Sequence, residues 1–368
     1  MSILSTLGTD ELLRAALEDW LRRQDPKISV QALRSPGDGN GYSNETHVVD
    51  LTAAGKARRH ILRLPPEHVS LFPRYDLSKQ YAFMEALQGR DNVPMARCVG
   101  LEPDASVLGR PFFVVDFIEG LVPPDNPTFL EAGWVVDATD EQRKTLWTST
   151  IDAIAALSHV EPSAQLLSQV DWPSNTTPRT LQLLDHYQGL IDWAVETSCP
   201  IDFPLLDDLG AYLRESAPPE AEPAIVWGDA RPGNIIYRDC LPVALLDWEL
   251  AYIGNPAEDL AWMLTMQRFY ERRLMRAGRS GKRLGGFLGD AETVDYYNAR
   301  ARRPITNWRY YWLLSAYRHL AISQRFAGMM HEFGAYDAEE MMRMRLVPDL
   351  FEDVAAVLGD EQHDAFFA

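Results

Sequence analysis

The sequence predicts an α+β protein of two lobes, a small β-rich lobe over residues 1–118 and a large, mainly helical lobe over residues 119–368. Three observations carry the prediction. Short apolar, β-branched runs bounded by turn residues crowd the first third of the chain. After Gly120 the apolar spacing becomes helical, beginning with the capping-box sequence Thr139-Asp140-Glu141-Gln142. Finally, 368 residues with 46% hydrophobic content exceed one core, so two or more domains are expected.

In chain order, residues 9–24 read as an amphipathic helix, with Leu13, Ala16, Leu17, Trp20 and Leu21 at helical spacing and Leu12 widening the stripe. Its apolar face is expected to pack on the small lobe. Strands follow at Ile28 to Leu33, Thr46 to Leu51 and His60 to Leu64. A helix is expected over about Ser78 to Gln88, and Pro111 to Ile118 reads as the last small-lobe strand, running into a hinge at Glu119-Gly120. In the large lobe, the helix opened by Thr139 carries Leu146, Ile151, Ile154, Ala155 and Leu157 as core. Residues 180–195 and 205–214 form two more helices, another begins near Pro256, and Trp308 to Gly328 is a further one, rich in aromatics.

Chemistry concentrates in Val226-Trp227-Gly228-Asp229-Ala230-Arg231-Pro232-Gly233-Asn234-Ile235-Ile236-Tyr237, followed by Ala244-Leu245-Leu246-Asp247-Trp248-Glu249. Ala224 to Val226 enters the loop as a strand and Ile235 to Tyr237 leaves it as another. Arg238 to Pro242 turns and Val243 to Leu246 returns, so the two acidic ends converge on one edge. An Asp, an Asn five residues on and an Asp ending the next strand is the order in which protein-kinase-like enzymes place a base and two Mg²⁺ ligands. Asp229 then accepts or orients the proton of an acceptor hydroxyl. Asn234 offers an amide oxygen and Asp247 an anionic oxygen to Mg²⁺, a hard cation that prefers oxygen. Gly-Asp and Pro-Gly-Asn also occur in ordinary turns; the triple in this order and strand context is what points to phosphoryl transfer. Arg231 and Glu249, each two residues beyond an acidic member of the set, are candidates for the acceptor or for support of the metal.

The segment from Val226 to Met263, including Asp247-Trp248-Glu249-Leu250-Ala251-Tyr252-Ile253-Gly254-Asn255-Pro256-Ala257-Glu258-Asp259-Leu260-Ala261-Trp262, resembles the aminoglycoside phosphotransferase and choline kinase superfamily. Within it, the chain is most similar to the subgroup whose domain is fused in animals to acyl-CoA dehydrogenases, and to its stand-alone bacterial relatives. The resemblance covers most of the chain, strongly in the catalytic segment, recognisably from about Pro36 to Gly120 and weakly beyond Arg279. It implies a protein-kinase-like bilobal fold with ATP and Mg²⁺ as cofactors. The turn Gly37-Asp38-Gly39-Asn40-Gly41-Tyr42-Ser43-Asn44 is then a candidate lid over the phosphates, with Gly39, Gly41, Ser43 and Asn44 as contacts. Its Gly-x-Gly-x-Gly spacing departs from the protein-kinase Gly-x-Gly-x-x-Gly. Arg63 stands where protein kinases carry a Lys, as in the subgroup, and its fork can hold phosphate oxygens. Gln80 stands where the family usually has Glu; it can accept a hydrogen bond from Arg63 but form no ion pair, and Glu85 is an alternative partner. Backbone groups from Asp116 to Ile118 are expected at the adenine edge. Trp227 replaces a His common in the superfamily and is read as a packing brace. Asp259 matches the motif and is expected to tie the catalytic hairpin to the next helix.

No run of about 18 apolar residues occurs, and Asp10 and Glu11 stand where a secretory signal would be basic, then apolar, so no membrane partner and a cytoplasmic location are expected. Cys98, Cys199 and Cys240 lie far apart without metal spacing, which fits a reducing compartment, and the histidines form no ligand cluster. With 35 basic against 53 acidic residues, the net charge of −18 disfavours nucleic acid. The expected partner is a small-molecule hydroxyl acceptor; oligomeric state is open. Arg268, Arg272, Arg273, Arg276, Arg279, Lys282 and Arg283 surround Glu271, and Arg300, Arg302 and Arg303 follow. Such a patch would repel a cationic aminoglycoside and draw a carboxylate or a coenzyme A phosphate, making Arg272 and Arg273 candidate acceptor contacts; a solvated basic helix face is the alternative. The sequence therefore reads as an ATP- and Mg²⁺-dependent small-molecule kinase whose acceptor is anionic or acyl-linked. An antibiotic phosphotransferase stays open, as does a nucleotide-binding regulatory pseudokinase, suggested by Gln80 and Trp227.

Overall fold

A computed structural model describes residues 10–34, 44–66, 70–90, 92–170, 177–197, 204–219, 222–345 and 347–359. The candidate lid residues Gly39, Gly41 and Ser43 lie outside these, as does Cys199. The chain divides into two compact units, one of Met1–Gln88 with Met95–Glu119 and one of Gly89–Pro94 with Gly120–Ala368.

The first unit is built on an antiparallel sheet. Helix α1 (Asp10–Arg22) precedes β1 (Ile28–Arg34), β2 (Glu45–Ala53) and β3 (Lys56–Leu64); α2 (Leu77–Leu87) then leads to β4 (Cys98–Glu102) and β5 (Phe112–Asp116). The sheet order is β1-β2-β3-β5-β4. Alternation places Val30, Val49, Leu51, Leu62, Leu64, Phe112 and Val114 on one face, and the stripe Leu13, Leu17, Trp20 and Leu21 of α1 closes it as the expected core. Trp20 meets Phe112 edge-on at 4.9 Å and donates its indole N–H to Glu102 Oε2 at 2.9 Å, so its polar end is satisfied. The tight β2–β3 connection uses Ala54 and Gly55 at positive φ, the mirror-image turn that matches strand twist.

The second unit is mainly helical: α3 (Trp134–Asp137), α4 (Asp140–Leu157), α5 (Ala164–Val170), α6 (Arg179–Thr197) and α7 (Pro204–Glu215) come first. Four short strands follow, β6 (Ala224–Val226), β7 (Ile235–Arg238), β8 (Leu241–Leu245) and β9 (Tyr252–Gly254). Then come α8 (Ala257–Arg276), α9 (Asp290–Asn298), α10 (Trp308–Glu332), α11 (Ala338–Arg345) and α12 (Pro348–Gly359). The capping box at Thr139 is formed in both directions. Helix α10 packs against α6, α7, α8, α11 and α12, which explains why it is buried on nearly every face. It runs past Gly328, where the sequence placed its end, to Glu332. Strands β7 and β8 form a hairpin closed by Asp239 and Cys240 at positive φ, while β6 pairs with β9. Among the described residues no helix is long and apolar enough to cross a membrane.

Candidate functional site

The loop after β6 is fixed from several sides. Asp259, early on α8, accepts from the backbone N–H groups of Trp227 and Gly228, at 2.8 Å each, the tie expected from the motif. Arg318 of α10 donates to the Gly228 carbonyl at 2.7 Å. The Trp227 indole is fully buried and donates to the Leu246 carbonyl at 2.7 Å, so the residue read as a brace joins the Asp229 loop to the strand end before Asp247.

Burial pushes the Asp259 carboxyl up to about 7, against the two N–H groups that favour its charged form. Between about pH 4 and 7 the folded chain therefore holds a proton that the unfolded chain, with an ordinary carboxyl near about 3.9, has lost. This contribution to stability is full below pH 4 and is lost as pH rises through 7. Asp259→Asn should remove that decline, so the Tm difference between wild type and variant, followed by calorimetry from pH 5 to 8, is expected to shift in the variant's favour as pH rises.

Asp229 itself is held by three donors. Oδ1 accepts from the Trp262 indole N–H at 2.6 Å and from Arg231 Nε at 3.2 Å; Oδ2 accepts from Asn234 Nδ2 at 2.6 Å. Pro232 opens a single 3₁₀ turn that ends in Asn234, and the Leu246 N–H donates to the Asn234 carbonyl at 2.8 Å, bringing the loop beside the residue before Asp247. Because the Asn234 amide nitrogen faces Asp229, its amide oxygen points the other way. Asp247 sits at φ 58°, ψ 69°, a left-handed conformation that an Asp tolerates and that is enriched at functional sites. Glu249 lies in the 3₁₀ turn that follows, half-buried.

The structure adds residues whose role sequence reading missed. Arg231 Nη1 meets both oxygens of Asp125 at 2.7 Å, and the Tyr270 hydroxyl donates to Asp125 at 3.0 Å. Burial opposes the Arg231 charge, but Asp229, Tyr270 and Asp125 together outweigh it and raise its pKa further. Trp262, Met266, Phe269 and Tyr270 follow helical i, i+4, i+7, i+8 spacing along α8, the one signal from which this face was readable.

In the first unit, Arg63 donates to the Thr46 hydroxyl at 2.9 Å, and the buried Gln80 accepts from the Asn44 amide at 3.3 Å, a contact unforeseen from sequence. The expected adenine-facing backbone narrows. The Asp116 N–H is already bonded to the Arg97 carbonyl and the Phe117 N–H to that of Arg59, whereas Ile118 makes no backbone hydrogen bond to a described residue.

Most cations of the basic run are ion-paired with acids of other elements. Arg268 and Arg272 pair with Asp353, Arg276 with Asp349 and Glu352, Arg279 with Glu131, and Arg283 with Glu271 and Asp290. Arg300, Arg302 and Arg303 meet Asp152, Glu161 and Glu222. Candidate Arg272 is thus engaged by α12, and Arg273 is exposed on the helix surface. Charge counted along one element missed acids supplied by others, which balance much of the run's charge.

Comparison with known proteins bears on the fold and the family. A curated relative, acyl-CoA dehydrogenase family member 10 of Mus musculus, is 24% identical over 84% of this chain but only 28% of its own length. The chain spans about a third of the curated relatives it matches. Among solved structures, a Ralstonia eutropha protein assigned as an aminoglycoside phosphotransferase is 24% identical, with a TM-score of 0.68 over 93% of this chain and 98% of that one. A thermostable mutant of aminoglycoside phosphotransferase APH(4)-Ia, solved with ADP and hygromycin B, is 14% identical, with a TM-score of 0.55 over 94% of this chain and 99% of that one. These likenesses establish the kinase-like fold. Residues 36–295 match the phosphotransferase enzyme family, and the chain belongs to it.

Proposed function

We propose that this protein is a small-molecule kinase that transfers the γ-phosphoryl group of ATP to an alcohol. The observation that carries the reading is the convergence of Asp229, Asn234 and the strand end bearing Asp247, held by Trp227, Trp262 and Asp259. ADP in the APH(4)-Ia complex supports a nucleotide donor. The donor set fits Mg²⁺: an outward amide oxygen and one carboxylate match an ion that takes one or two protein ligands and completes its shell with phosphate and water. When bound, Mg²⁺ would offset charge on the transferring phosphoryl group.

Asp229 accepts the hydrogen of the acceptor hydroxyl and aims the oxygen. A bond forms from that oxygen to the γ-phosphorus, the bond to the oxygen bridging to ADP breaks, and the hydroxyl proton passes to Asp229. The three donors fix the carboxylate's orientation and leave a lone pair for the substrate. Arg231 balances its charge. In the small lobe, Arg63, Asn44, Gln80 and the Ile118 backbone are the described nucleotide-binding candidates.

The surroundings of Asp229 are aromatic. Phe129, Tyr270 and Phe269 form successive ring contacts, at 6.1 and 5.6 Å, toward Trp262 and Asp229. Asp125, the acid beside them, is already engaged by Arg231 and Tyr270. A polycationic sugar would need uncompensated carboxylates, so we favour a hydroxyl carried on an acyl or alkyl chain. The test is ADP release from Mg·ATP with hydroxyacyl thioesters, free hydroxy acids, alkanols, choline-like alcohols, aminoglycosides and macrolides. Stimulation by the acyl or alkyl group is expected; stimulation by the antibiotics alone would reassign the acceptor, and none with any compound would remove the kinase reading.

A further inference from the structure

The proposed reaction leaves one buried group near Asp229 without a task. His319, on α10, is 9% exposed. Its ring centroid lies 4.6 Å from that of Phe269 and 6.1 Å from that of Trp262, the residue whose indole N–H holds Asp229. Burial draws its pKa down to about 4, against the pull of the Asp229 charge, so at working pH the imidazole is neutral, with one nitrogen a donor and the other an acceptor. Neither nitrogen hydrogen-bonds to a described residue. Phe269 has no polar atom to offer, and the Trp262 N–H is spent on Asp229. Unlike Nδ1 of His47 and of His60, the ring nitrogens of His319 are not sealed from solvent, so they are open to a partner that the described residues do not supply.

We propose that His319 is a positioning residue that recognises the acceptor hydroxyl. This rests on the kinase reading above and deepens it. A hydroxyl has one hydrogen to give and lone pairs to receive. It gives the hydrogen to Asp229 and accepts from the imidazole N–H, which fixes its oxygen for attack without His319 taking a proton. Neutrality is required for this role, because an imidazolium would pair with Asp229 and compete with the substrate. Phe269 and Trp262 flank the imidazole with apolar surface, suiting a neutral carbon chain next to the hydroxyl.

The test uses His319→Phe and His319→Gln in the full chain, with ADP release from Mg·ATP measured on primary alkanols of increasing length and a hydroxyacyl thioester. For a probe that the wild type turns over, His319→Phe is expected to lower kcat/KM by about tenfold, the scale of one lost hydrogen bond, with the KM for ATP unmoved. Its Tm should stay close to that of wild type, since no hydrogen bond to a described residue is lost. His319→Gln, which keeps a donor and an acceptor, should recover part of the loss with an unchanged pH profile from pH 6 to 9. An unaltered acceptor kcat/KM in His319→Phe overturns the assignment, as does a Gln variant no better than Phe. A wild type inert toward every probe overturns instead the kinase reading beneath it.

Discussion

Asp229→Asn is expected to lower kcat for acceptor phosphorylation by about a thousandfold, within the about 10²–10⁴ that a positioned acid–base group supplies. The substitution preserves shape but turns one acceptor oxygen into an NH₂. That NH₂ must face either the Trp262 indole N–H or the Asn234 amide N–H, both donors at 2.6 Å. One buried donor is then left without a partner, at about 1–3 kcal/mol, and Asp125 becomes the one carboxylate still paired with Arg231, whose Nε keeps only the neutral amide oxygen. A Tm loss of a few degrees should accompany the kinetic loss. Trp262→Phe separates the two effects: it removes one donor and leaves the carboxylate, so a loss nearer tenfold is expected, the scale of one hydrogen bond. Single-turnover phosphoryl transfer, with nucleotide affinity measured by calorimetry, distinguishes the cases. An Asp229→Asn enzyme within tenfold of wild type would show that the proton leaves by another route.

Local signals make much of this candidate site legible in the sequence. Asp229, Asn234 and Asp247 stand out because a hairpin fixes their spacing along the chain, and the Thr139 box and the α1 stripe follow rules within one element. Asp259 was legible because its partners, Trp227 and Gly228, belong to the same motif. The unread part depends on distant pairings. Asp125 reaches Arg231 across 106 positions, and Gly228 takes a hydrogen bond from Arg318 across 90. No period or motif encodes such contacts. The basic run shows the same limit with the opposite outcome. Arg272 looked free because its partner, Asp353, stands 81 positions away on a helix that the sequence reading did not predict. His319 was set aside as one of several scattered histidines, and only packing places it beside Trp262.

The second large effect is expected from a residue that bears no functional group. Gly228 sits at φ +89°, and a Cβ built there would fall inside the Leu250 carbonyl, which is backbone and cannot swing aside. The glycine cannot readily move away, because Asp259 holds its N–H and Arg318 its carbonyl. Gly228→Ala must therefore displace the loop, and the next residue along is Asp229. Left-handed strain of about 1–2 kcal/mol and overpacking of about 1–3 kcal/mol together predict destabilisation of roughly 2–5 kcal/mol. A shift of about 1 Å at a reacting group costs about a hundredfold in rate, so kcat/KM should fall by at least that much. Gly278→Ala isolates the strain: φ there is +72° with nothing within 4 Å of the added Cβ, so only the conformational cost applies and activity should stay at the wild-type level. Denaturant midpoints and steady-state kinetics on both variants decide the matter. Equal stability losses, or an active Gly228→Ala, would mean that the loop relaxes without moving Asp229 and that the pinning by Asp259 and Arg318 is not what aligns the base.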